Sequence, residues 1–158
     1  MHEFEDERVD CIEAVVLHEP TQADFDAMNA SYLEDVKRSV LIAITEYDLS
    51  SNVNGFVLGG VEAWLDKATR VGLVNLLDSQ KAEGQAETTL WLNGTPIVLG
   101  VDAALSMLRQ LEIYAGLCYN KTEAHKAAIA QLTTAAEVEA YDYTAGYPER
   151  PIFEVNAE

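Results

Sequence analysis

The sequence is short of positive charge. Ten lysines and arginines stand against 27 aspartates and glutamates, a net charge of −17. A polyanion of that size is repelled by phosphate backbones and by anionic lipid surfaces, so neither nucleic acid nor membrane is expected as a partner. The excess acid keeps the chain in solution and suits a partner with a basic face. Cysteine is equally scarce: Cys11 and Cys118 are the only two, too few for a disulfide framework, and two free thiols in a reducing compartment are expected. No apolar run is long enough to cross a bilayer; Ala14-Val15-Val16-Leu17 is typical of their length. The acidic N-terminus lacks the basic n-region of a secretory signal.

What is present is periodic pattern. Asn93-Gly94 lies between Thr88–Leu92 and Pro96–Leu99. A two-residue type I′ turn needs positive φ at both central positions, which Asn and Gly tolerate best, so a hairpin is expected there. An earlier copy runs Phe56–Gly60 and Val61–Leu65, and the copies align at a constant offset. Phe56 falls on Leu90, Leu58 on Leu92, Gly60 on Gly94 and Leu65 on Leu99. In the helical patterns that follow, Val71, Val74 and Leu77 fall on Leu105, Leu108 and Leu111. The middle of the chain therefore reads as a doubled hairpin–helix unit.

Ahead of it, Thr21 is a good N-cap with Asp24 three residues on. Phe25, Met28, Tyr32, Val36, Val40, Ile44 and Tyr47 then recur every three to four residues, one face of a helix. That face is either a core stripe or an oligomerisation seam. After hairpin two, a helix over about 101–118 is expected. Asn120-Lys121 then separates it from a fourth helix opened by Thr122, and a short fifth follows Thr133-Thr134. Gly146, Pro148 and Pro151 mark an extended tail, in which Ile152, Phe153 and Val155 read as a last short strand or as apolar pegs. The expected class is α+β: a long N-terminal helix, then two hairpin–helix units forming a four-stranded, mostly antiparallel sheet with helices on one face, then two short helices and the tail. The expected organisation is an acidic arm over 1–20, the long helix over 21–47, the hairpin–helix core over 48–142 and the tail over 143–158.

A search for chemistry returns little. There is no P-loop, no Gly-x-Ser-x-Gly elbow and no Gly-x-Gly-x-x-Gly. His125 and Cys118 are separated by Asn120-Lys121-Thr122 with no further ligand in register, so no metal is expected. Three residues after a capping threonine, His125 reads as a structural side chain at a helix start. Glu112 reads as a surface carboxylate or a partner for Arg109 across one turn. Trp64 and Trp91 read as strand residues packing on helices. No enzyme activity and no cofactor are expected. The termini are the candidate contact segments, because each mixes acid with apolar pegs that little local structure could cover: Cys11, Ile12, Val15, Val16 and Leu17 in the arm, Tyr143, Tyr147, Ile152 and Phe153 in the tail.

Several strings resemble an uncharacterised domain family of tailed-phage and prophage proteins. They are Glu46–Ser50 with Val53–Phe56, Trp64–Leu73, Thr88–Leu92, Leu111–Ala115, Cys118-Tyr119, Thr122–Lys126, Ala128-Ile129 and Glu137–Glu149. The resemblance covers about residues 40–153, and the last string is the most specific. Members sit among tail, tail-fibre and fibre-assembly genes, with no enzymatic activity attached. The resemblance implies a virion protein of the tail or tail-fibre apparatus, with other phage structural proteins and further copies of itself as partners. The alternative it leaves open is a transient fibre-assembly chaperone found only in the host cytoplasm.

Overall fold

The computed structural model describes residues 18–156; the arm residues Cys11, Ile12, Val15, Val16 and Leu17 lie outside it. Helix α1 spans Gln22–Asp48. Its start is a capping box: the Asp24 amide donates to Thr21 Oγ1 at 3.2 Å, and the Thr21 amide donates to Asp24 Oδ2 at 2.7 Å. Hydrogen bonds donated by the Thr21 amide, and next by its hydroxyl, hold the Asp24 carboxyl below its usual pKa.

Strands β1 (Gly55–Leu58) and β2 (Val61–Trp64) form the first hairpin, closed by Gly59 and Gly60 at φ 56° and 79°. Helix α2 (Lys67–Ala82) starts at Asp66, whose carboxylate accepts from the Thr69 amide at 2.7 Å. The second hairpin is β3 (Glu87–Leu92) and β4 (Thr95–Gly100), closed by Asn93 and Gly94 at φ 49° and 78°. Both turns thus have the positive φ expected of their sequences.

The doubled unit is real at the level of packing. Phe56, Leu58, Leu90 and Leu92 are all buried, as are Leu77, Leu105, Leu108 and Leu111. Val71 departs from its repeat mate Leu105: it is half exposed, because α2 lies at the edge of the main core while the helix after the second hairpin runs through it.

The four-stranded sheet does not form. The hairpins belong to separate sheets, one in which β1 lies between β2 and a short strand of the tail, and one of β3-β4. The free edge of β1 is taken in parallel by β5 (Ile152–Phe153), with Val57 and Gly59 amides donating to Pro151 O and Phe153 O at 2.9 Å each. On the β2 side, the Asn93 side chain donates to Glu62 O at 2.6 Å. A strand carbonyl that a sheet would have paired is satisfied by a turn side chain instead. The tail is therefore part of the first sheet rather than an extension beyond the core.

The two helices expected over 101–118 and 122–132 are one, α3 (Val101–Gln131). Nothing in Asn120-Lys121-Thr122 breaks the backbone ladder, and a buried stripe of Tyr114, Cys118, Thr122, His125 and Ile129 runs straight through it at helical spacing. A short α4 (Ala135–Glu139) follows, with a second capping box between Thr134 and Glu137. Beside the main core, Ile44 of α1, Ile129 of α3 and Val138 of α4 make a second cluster, and Val53, Tyr114 and Cys118 a third.

Candidate functional site

A staple of side chains joins the tail to α1 and α3. His125 is 3% exposed. Its Nε2 lies 2.9 Å from Ala145 O, which can only accept, so Nε2 carries the proton. Nδ1 then accepts from the Tyr141 hydroxyl at 2.7 Å. One turn away, the buried Thr122 hydroxyl donates to Asp48 Oδ1 at 2.7 Å and accepts from the Tyr147 hydroxyl at 2.9 Å. Tyr47 packs against Tyr143 and Tyr147 with ring centroids 6.0 and 5.6 Å apart.

His125 is therefore a core residue and not one at a helix start, and Thr122 caps nothing. Burial pushes the imidazole pKa below its ordinary value, helped by Lys121 and opposed by the Ala145 hydrogen bond and Asp142. Above about pH 6.5 the ring is neutral folded or unfolded. Below it the unfolded chain takes up a proton that the folded ring resists, so stability falls as pH drops through that window. Melting temperature measured from pH 7 to 5 should decline, and His125→Gln, which cannot titrate, should show a shallower decline.

Cys118 is a free, fully buried thiol, pushed above its ordinary pKa by burial, which describes an inert packing group. Burial likewise pushes Tyr114 up to about 12. Among the described residues, no group of three or more His, Cys, Asp and Glu side chains is placed to hold a metal. No described helix is long and apolar enough to cross a membrane.

Among the open surfaces of the described residues are two that carry exposed aromatic side chains. The first is a cleft of about 440 Å³ between the end of β2, the start of α2, the end of α1 and the middle of α3. Its buried anchor is Arg70, 8% exposed, which donates through Nε to Glu112 Oε2 at 3.2 Å and through a terminal nitrogen to Leu65 O at 2.7 Å. Glu112 is thus paired with Arg70 of another helix and not with Arg109 of its own. Trp64 and Tyr119 line the cleft, with Ala115 and Gly116 of α3 between the bulkier groups. Trp64 is 40% exposed and Trp91 69%, so both indoles face outward where packing on helices was expected.

The second surface is the tip of α1. Residues 21–32 are exposed throughout, and packing on α3 and α4 begins only at Leu33. The expected stripe is split: Val36, Val40, Ile44 and Tyr47 pack on the body, while Phe25, Met28 and Tyr32 stand out from it, 48, 64 and 54% exposed. Tyr32 alone reaches back, donating to Glu139 Oε1 at 2.8 Å.

Of the four tail residues singled out in the sequence, Tyr143, Tyr147 and Phe153 are half-buried on the chain's own cores. Only Ile152 is exposed. The α1 tip and the Arg70–Glu112 cleft lay in residues read as core stripe and surface carboxylate. Comparison with protein-family models, with curated proteins and with solved structures finds no match.

Proposed function

We propose that the chain is a non-enzymatic structural protein of a tailed-phage particle, a part of the tail or tail-fibre apparatus that works through protein–protein contacts. Its partners are other structural proteins of the particle and further copies of itself, in the virion and, during assembly, in the host cytoplasm. No cofactor, nucleic acid or membrane enters this reading.

The observation that carries it is the α1 tip. Three helical turns with Phe25 and Met28 exposed lie beyond the body and bury nothing of their own. Isolated turns are marginal in water, and helical stability comes mainly from tertiary packing of an apolar face. Such a tip gains that packing when a partner covers it. The arm that precedes it adds the apolar segment Ile12, Val15, Val16 and Leu17 at the same end of the chain. The resemblance to the phage family supplies the setting.

Mass spectrometry of purified particles tests the reading: the chain is expected at a fixed stoichiometry. Absence from particles whose fibres nonetheless need it for assembly would replace it with the chaperone role. Deleting residues 1–20 leaves Thr21 and its capping box in place. That deletion is expected to keep the cooperative melt and to prevent incorporation; a truncated chain that incorporates normally would remove the arm from the contact.

A further inference from the structure

Helix α1 carries a second stripe beside its body contacts. Phe25, Met28 and Tyr32 continue in alternating steps of three and four residues through Asp35 and Ser39 to Ile42, and all six are exposed. Alternating steps of three and four keep side chains on one face, the spacing of a helix–helix seam. Leu33, Val36, Val40 and Ile44, which pack on the body, lie on the neighbouring face and leave this one open. The charges along the stripe differ at its two ends. Asp24 flanks it near the tip and Arg38 flanks it on the same side further along. Both have capacity left. Asp24 spends Oδ2 on the capping box, and its Oδ1 has no hydrogen bond among the described residues. Arg38 donates through one terminal nitrogen to Asp35 at 2.9 Å, and its side chain is 70% exposed.

We propose that this stripe pairs with the same stripe of a second copy of the chain, the two α1 helices antiparallel about a two-fold axis at Ala30. The inference names the partner of the α1 tip in the role proposed above and rests on that reading. A two-fold contact uses one patch twice, so the patch must fit itself. This one does. The register sets Met28 of each copy against Tyr32 of the other, and Asp24 of each beside Arg38 of the other. Arg38 then stands between that Asp24 and its own Asp35, within the reach of a guanidinium with five donors. At the axis, Asn29 meets Asn29 and Ser31 meets Ser31, with no charge on either side. The overlap runs from Thr21 to Ser39, about 28 Å of helix. Shifting it one heptad toward the tips pairs Phe25 with Met28 but shortens the overlap and leaves Arg38 without an acid opposite. Two chains of net charge −17 repel at long range, yet salt of about 0.1 M screens charges more than about 10 Å apart, so the facing side chains decide the contact.

The test is sedimentation equilibrium of the full chain under reducing conditions, followed by disulfide trapping. Between about 1 and 200 μM the mass is expected to rise from that of one chain toward that of two, with a micromolar dissociation constant. Arg38→Glu changes an exposed side chain, so it should keep the melt, and it should weaken the dimer at least about tenfold by setting three acids together. Phe25→Ser with Met28→Ser should leave single chains. Trapping reads the register in a Cys11→Ser background, where the remaining Cys118 is fully buried. Met28→Cys and Tyr32→Cys chains, mixed, should cross-link to each other faster than either does to itself. A single-chain mass at about 200 μM, a dimer unmoved by Arg38→Glu or by the paired serine substitution, or faster cross-linking of Phe25→Cys with Met28→Cys would each overturn the assignment. The outcomes separate from those of the functional reading: this dimer in a chain that never enters particles keeps the seam and removes the structural role, and incorporation of a chain that stays single does the reverse.

Discussion

Ending the chain after Ala140 is expected to abolish the cooperative melt. The truncation removes the Tyr141 hydroxyl and Ala145 O from His125 and the Tyr147 hydroxyl from Thr122. Both residues are nearly fully buried, at 3 and 1% exposed. Thr122 keeps its bond to Asp48, but His125 loses both partners, and a buried polar group so stripped costs about 1–3 kcal/mol. The same cut removes β5 from the edge of β1 and takes Phe153 away from Phe56, whose rings pack edge to face with centroids 6.3 Å apart. It also uncovers Tyr47 by removing Tyr143 and Tyr147. Burying one large side chain contributes about 1.5–3 kcal/mol. Several such losses together match the whole stability of an ordinary domain, about 5–15 kcal/mol. Calorimetry or circular dichroism of a chain ending at Ala140 should show a broad, weak transition or none. A melt within a few degrees of the full chain would mean that the tail is an appendage, as its proline and glycine content had indicated.

The difference between those two views of the tail shows what sequence reasoning could reach. Local signals were legible. Thr21 with Asp24, Asn93-Gly94 and the Phe56/Leu90 alignment each set a structure within a few residues, and each is found where the sequence places it. The last short strand was one of two readings of Ile152 and Phe153, but its partner β1 was not legible, because two residues after Pro151 carry no alternation to read and the strand is defined only by the edge it meets. The staple joins Asp48 to Thr122 and Thr122 to Tyr147 across long stretches of chain, and a single sequence carries no mark of such pairs.

One signal was available and outweighed. Tyr114, Cys118, Thr122, His125 and Ile129 keep helical spacing across Asn120-Lys121, which argues for one continuous helix with Thr122 and His125 on its buried face. Reading Thr122 as a cap hid both facts. Arg70 and Glu112 were hidden for a similar reason: a charged pair spanning two helices cannot be told in sequence from two surface charges, whereas the nearer Arg109 satisfies the one-turn rule.

The paired substitution Phe25→Ser and Met28→Ser should leave the melt nearly unchanged and abolish incorporation into particles. Both side chains are exposed, at 48 and 64%, so removing them opens no cavity. Substitutions at such surface positions usually stay within about 0.5 kcal/mol each. Serine lowers helix propensity at Met28 by a few tenths of a kcal/mol and leaves it about level at Phe25, and the capping box at Thr21 is retained. The control lies on the same helix. Ile44 is fully buried between α1, α3 and α4, and Ile44→Ala should cost about 2–5 kcal/mol. The expected contrast divides α1: its second half builds the fold, and its first three turns lie outside the chain's own cores. Thermal melts of the three proteins with particle incorporation of each check both halves of the statement. If the double variant melts as low as Ile44→Ala, the tip is part of the fold. If it incorporates like the parent chain, the exposed apolar face is not the contact, and the cleft or the arm must carry it.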